Sequence, residues 1–409
     1  MKSLPFILVP LMMYKLLFTV WLGTILTYFN FEISQRLNII TIDIKEIIFY
    51  IVTYSLFILY IFFYFIIKKK HNIKRERNSF YESKYDKRHI RLSITIIVFL
   101  SIYILYLFIF DMNKLPIIYA LNGDFLHAQL LRMQIQTHTI QIGIVYLSKV
   151  VFFQSLFLPI FLFIKLLTSK RKIFYFLFFI SLAYSSFLLV LDMQKSYIIL
   201  LLLLLSFIYL YFRGINIKLF LISISLLIAI SSIISMVMVK DNNYEGLLYI
   251  LDRIIFGQNQ GMYYMLQFYE PSTKAALSDF YFSSSLGLDY VKPDEFILKY
   301  IYADITNLVN ANTYYIGESW SYYGAYGLLF TPFIIVFILI LYYLFFIKLA
   351  KYDFVLYSSL GLIFFSTLPI DQSLQFIIYQ KYFLYFLFFA IIPLYFFRKI
   401  NNIKKKRYK

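Results

Sequence analysis

Residues 168–190 read TSKRK followed by IFYFLFFISLAYSSFLLV, and this stretch decides the fold class. The second part, residues 173–190, is eighteen residues without a charge, long enough to cross the hydrocarbon of a bilayer as a helix. The first part places Lys170, Arg171 and Lys172 immediately before it, the pattern of a cytoplasmic turn between two spans. Similar apolar runs recur along the chain. They predict ten transmembrane helices at about 4–29, 44–67, 92–111, 141–167, 173–190, 197–212, 218–239, 326–347, 354–369 and 380–397. The first run is too long for a secretory leader and lacks a small-residue cleavage site, so it is read as an uncleaved span.

Composition agrees. Of 409 residues, 61% are hydrophobic and 15% charged, against about 25% charged in a typical soluble domain. A water-soluble globule of this size would lack the polar surface to cover itself. Only a helix bundle or a closed barrel satisfies backbone polar groups in lipid, and the run lengths select helices.

Orientation follows from Lys and Arg. Residues 68–91 hold ten of them and the tail from Arg398 to Lys409 holds seven. With both termini inside, 25 basic residues fall on the cytoplasmic side. The net charge of +18 therefore belongs to membrane edges and anionic headgroups, and a nucleic-acid partner is not expected. Cysteine is absent, which excludes disulfides, thiol nucleophiles and cysteine-ligated metals.

The predicted domain order is a transmembrane block over 1–239, an extracytoplasmic loop domain over 240–325, three further spans over 326–397 and a basic tail over 398–409. The first block includes the basic loop 68–91 and an outer amphipathic segment over 112–140. In that segment Asn122 is the expected helix cap, and Phe125, Leu126, Leu130 and Met133 recur at helical spacing. Asp124, His127, Gln134 and His138 lie on another face, with Gln129, Arg132 and Gln136 beside it. The segment reads as a helix lying at the outer membrane surface. The 85 residues from 240 to 324 carry ten of the 21 acidic residues and five Lys or Arg. So long a segment outside a bundle points to work on the outer side.

No GxGxxG, P-loop or HExxH sequence occurs. His127 and His138, eleven residues apart, share a helix face only loosely, so neither a metal nor another cofactor is expected. Charges at the outer ends of spans are more informative, because they are expensive there. Lys149 enters the fourth span, with snorkelling to the headgroups as its plainer reading. Lys195 occupies a tight outer turn. Arg132 and Arg253 offer the forked guanidinium that suits phosphate and pyrophosphate.

Three local patterns carry a resemblance to a known family. One is Asn312-Thr-Tyr-Tyr-Ile-Gly-Glu318-Ser-Trp320-Ser-Tyr-Tyr-Gly324-Ala-Tyr-Gly327, leading into a long span. The second is Asp192-Met-Gln-Lys195-Ser before a Leu-rich run. The third is Arg132 followed eleven positions later by Gly143; Arg253 has no glycine at that spacing. With the span count and the large outer loop, the chain resembles the O-antigen polymerases of the Wzy type, all-α polytopic membrane proteins with a GT-C-like architecture. The resemblance implies a glycosyltransferase of lipopolysaccharide biosynthesis in the bacterial inner membrane, active on its outer face. It would join undecaprenyl-pyrophosphate-linked oligosaccharide repeat units into O-antigen or a capsule-like polysaccharide, alongside a flippase and a chain-length regulator. Arg132, Arg253, Lys195 and Lys149 are then the expected pyrophosphate ligands, and Glu318, Asp252 or His138 the base. A lipid-linked oligosaccharide flippase remains the main alternative, with an O-antigen ligase or related lipid-linked glycosyltransferase after it. A flippase would show short loops and two similar halves, and no internal repeat is visible here.

Overall fold

A computed structural model describes residues 20–31, 37–70, 81–136, 139–169, 171–193, 195–213, 252–257, 259–273, 283–287, 297–298, 312–350, 352–368 and 377. Eleven α-helices occur among them, with three short 3-10 or π-helical turns and no strand. They are α1 (Leu22–Tyr28), α2 (Ile42–Lys70), α3 (Tyr81–Phe110), α4 (Pro116–Leu121), α5 (Phe125–Gln136), α6 (Val145–Thr168), α7 (Ile173–Val190), α8 (Lys195–Arg213), α9 (Gln260–Phe268), α10 (Tyr314–Ala350) and α11 (Phe354–Ser366). Five helices are long and apolar enough to cross a membrane, within α2, α3, α6, α7 and α10. The predicted spans at 218–239 and 380–397, most of 4–29 and the basic tail lie outside the described residues.

Two predicted starts move. The third span was expected from residue 92, yet α3 begins at Tyr81. Its added turns carry Asp86 and His89, which are polar and so invisible to hydropathy, but both are buried. The eighth span was expected from residue 326, whereas α10 begins at Tyr314. Its first arm, Tyr314 to Tyr323, is rich in aromatic and polar residues and largely buried. At Gly324 the backbone takes φ 57 and ψ −138, a conformation essentially reserved for glycine. The helix therefore breaks there before Ala325 to Ala350 continues.

The chain divides into two compact units. One comprises Met1–Arg75, Ser232–Leu349 and Phe365–Tyr379; the other comprises Glu76–Ser231, Ala350–Phe364 and Gln380–Lys409. The second unit is organised around α6, whose apolar window is 78% buried, against 33% for α7 and 28% for α3. Leu156, Phe157, Ile160, Phe161 and Ile164 of α6 are fully or almost fully enclosed, and α3, α7 and α8 all pack on this helix. Ile94, Val98, Ile102, Leu105 and Ile109 of α3 remain exposed, as a helix facing lipid requires. In the first unit α2 packs against α1 and α9.

Candidate functional site

In the second unit, the expected outer end of α3 leads through a short turn into the packed α4–α5 pair. Asn122 is the C-cap of α4 and does not cap α5. The N-cap is Asp124, whose Oδ1 accepts the His127 backbone N–H at 3.1 Å. The turn between α4 and α5 spends Asn122 on closing the first helix, so the next carboxylate opens the second. The face of α5 turned inward is Ala128 and Leu131, with Phe125, Arg132 and Ile135 half-buried beside them. Leu126, Leu130 and Met133 are exposed, and this outward apolar stripe suits a lipid boundary.

Arg132 is thus half-buried next to the packing face, with its Nε shut off from solvent. Lys149 is exposed in the second turn of α6. Lys195 is the first residue of α8. His138 lies outside the described residues. Between α5 and α6 runs a strap over residues 139–144. The Gln134 carbonyl accepts from the Thr139 N–H at 2.9 Å, the Ile140 N–H at 3.1 Å and the Thr139 hydroxyl at 2.9 Å. At the other end of the strap, the Gly143 N–H donates to Asp111 Oδ2 at 2.9 Å.

In the first unit, Asp252 is buried directly before a π-helical turn, Arg253–Gly257. Asn259 then sends its amide to the Ile255 and Val20 carbonyls at 2.8 and 3.4 Å. This amide ties the turn to the start of α1. Gln267 at the end of α9 accepts from the Thr41 N–H and donates to the Ile39 carbonyl, each at 2.9 Å. Glu318 sits half-buried on the first arm of α10. That arm is stitched to residues 269–272 by Trp320 Nε1 donating to the Tyr269 carbonyl at 3.0 Å and the Ser272 N–H donating to the Ser321 carbonyl at 2.8 Å. Burial raises the Tyr269 phenol above its usual value, so this group stays neutral at physiological pH. The pieces 252–257, 259–273 and 312–324 of the acidic segment are therefore packed structure. The structure places Arg132, Lys149 and Lys195 in one unit and Asp252, Arg253 and Glu318 in the other.

Sequence reasoning missed a buried charge cluster in the second unit, at the end of the helices predicted to face the cytoplasm. Asp86 pairs with two cations, its Oδ1 lying 2.6 Å from Lys165 Nζ and its Oδ2 2.8 Å from Arg171 Nε. The Asp86 and Lys165 side chains are 4% and 2% exposed, whereas Arg171 is 45% exposed. Lys165 also stands over the Phe174 ring, 5.5 Å from its centroid. Alongside, His89 Nε2 meets Asp353 Oδ2 at 2.8 Å while its ring sits edge-on to Phe161. Asp353 Oδ1 accepts the Leu356 N–H at 3.0 Å and so caps α11. Burial alone would raise the Asp353 carboxyl; the His89 hydrogen bond and charge, the Leu356 N–H and Arg88 outweigh it and hold the carboxyl below its usual value. These pairs join α3 to α6 and to the start of α11. Apolar context concealed Lys165, and the basic run 68–91 concealed Asp86 and His89.

Among the described residues no group of three or more His, Asp or Glu could hold a metal ion. Arg132 on α5 and Lys149 on α6 are joined through the strap. No family model, curated protein or solved structure matches the chain.

Proposed function

We propose that this multi-pass membrane protein is a polysaccharide polymerase acting on lipid-pyrophosphate-linked repeat units at the outer face of a bacterial inner membrane. The observation that carries the reading is the broken helix α10. Its buried arm, with Glu318 and Trp320, is held by residues 269–272 at the head of a helix long enough to cross the bilayer. In this reading the half-buried Glu318 and Trp320 and the exposed Tyr323 of the arm give a sugar chain its polar and aromatic contacts. Arg132 on α5 supplies the complementary feature, a half-buried guanidinium beside a stripe suited to the membrane boundary.

The reaction moves a growing glycan from its undecaprenyl pyrophosphate to a hydroxyl of a lipid-linked acceptor. The bond between the anomeric carbon and the pyrophosphate oxygen breaks, and the acceptor oxygen forms the new glycosidic bond. Charge grows on the departing pyrophosphate, where Arg132, with Lys149 and Lys195 of the same unit, stabilises it in this reading. The acceptor proton passes to a general base. Flippase and chain-length regulator are the expected partners.

The test is the length of surface glycans in cells expressing Arg132→Ala or Glu318→Gln at parental protein levels. Removing one positioned donor costs about a hundredfold or more in rate, so single repeats are expected where the parent makes long chains. Parental chain lengths in both variants refute the assignment.

A further inference from the structure

Nothing in the proposed reaction uses Asp111, yet both of its carboxylate oxygens are engaged. It is 5% exposed. Its Oδ1 takes Lys114 Nζ at 2.6 Å, and its Oδ2 takes the Gly143 N–H at 2.9 Å. Its own N–H donates to the Leu107 carbonyl at 2.9 Å, fixing it to the last turn of α3. Gly143 has φ +67, and a Cβ there would collide with the Tyr103 hydroxyl. The strap is thus held against α3 by a carboxylate on one side and by a phenol that tolerates only glycine on the other.

We infer that Asp111 is the positioning residue that sets where Arg132 and Lys149 stand, through a strap pinned at both ends. At its first end three donors of Thr139 and Ile140 converge on the Gln134 carbonyl, two residues beyond Arg132. At its second end Gly143 is fixed to Asp111, and α6 starts two residues later with Lys149 in its second turn. The Ser148 N–H donating to the Ile144 carbonyl at 2.8 Å passes the restraint directly into α6. A cation that serves the departing pyrophosphate must keep its position, because a misplacement of about 1 Å in a reacting site costs on the order of a hundredfold in rate. The arginine-to-glycine spacing from Arg132 to Gly143 acquires a physical meaning: it is the length of chain from the cation to its anchor. This inference rests on the proposed pyrophosphate role of Arg132.

The experiment measures binding of undecaprenyl pyrophosphate to the full chain in nanodiscs. Asp111→Ala, which frees the strap, is expected to weaken binding about tenfold or more. Asp111→Asn keeps an acceptor for the Gly143 N–H and is expected to restore affinity to within about threefold, a rescue that bulk loss of structure would not give. Gly143→Ala displaces the same strap from its other side and serves if Asp111→Ala does not fold. Parental affinity in Asp111→Ala or in Gly143→Ala overturns the inference. Arg132→Ala separates the two levels. If it weakens binding while the strap variants do not, the anchor fails alone; if it binds as the parent does, the pyrophosphate reading fails with it.

Discussion

Replacing Asp86 with Asn tests the buried charge cluster and carries a magnitude. The substitution keeps the volume of the side chain and removes the carboxylate charge 2.6 Å from the Nζ of Lys165, which is 2% exposed. Removing one member of a buried pair costs about 3–5 kcal/mol, because the remaining charge stays desolvated. The Arg171 pair adds little, since a guanidinium 45% exposed regains water and such pairs are worth at most about 1 kcal/mol. The structure therefore predicts a loss of about 3–5 kcal/mol, more than a hundredfold in the folding equilibrium. The double variant Asp86→Leu/Lys165→Met should recover most of it, because an apolar pair of similar volume is often neutral or stabilising. Equilibrium unfolding of the purified protein in mixed detergent micelles measures both. A loss below about 1 kcal/mol in Asp86→Asn, or a double variant as unstable as the single one, refutes the enclosed pair.

Other outcomes follow from the same geometry. The Asp353 carboxyl is held below its usual value, so its contribution to stability is complete above the ordinary carboxylate range. It is lost as the pH falls through the lowered value. Thermal unfolding midpoints followed downward from about pH 5 should fall less steeply in Asp353→Asn than in the parent. Gly324→Ala forces a Cβ onto a backbone at φ 57 and ψ −138, and should cost about 1–3 kcal/mol in the same micelle unfolding. The absence of cysteine allows single reporters. Gln141→Cys, exposed in the strap, should react with a membrane-impermeant maleimide added outside intact spheroplasts, and protection there would reverse the predicted orientation.

Helix positions were legible where burial in lipid was the only demand on the sequence. Residues 173–190 were predicted as a span and form α7 with the same ends, because charged Lys172 and the turn at Asp192 bound a run that carries no charge. Legibility failed where protein replaced lipid as the solvent. Tyr314 to Tyr323 is helical and buried, yet its tyrosines, serines and Glu318 score as a loop by hydropathy. Asp86 and Lys165 satisfy each other across a long stretch of chain, and such pairing leaves no periodic trace in the sequence. Asp111 was missed for the same reason: its partners are a backbone N–H and the neighbouring Lys114. Arg132 was singled out from sequence because an arginine at the outer membrane edge is costly there, and the structure shows it half-buried beside the packing face of α5.

The most direct test of the polymerase reading is glycan analysis of a strain lacking this chain. The account predicts surface glycans capped with one repeat unit, because each unit is still made and carried across the membrane but not extended. Complete loss of the surface glycan would contradict it and favour a flippase or ligase.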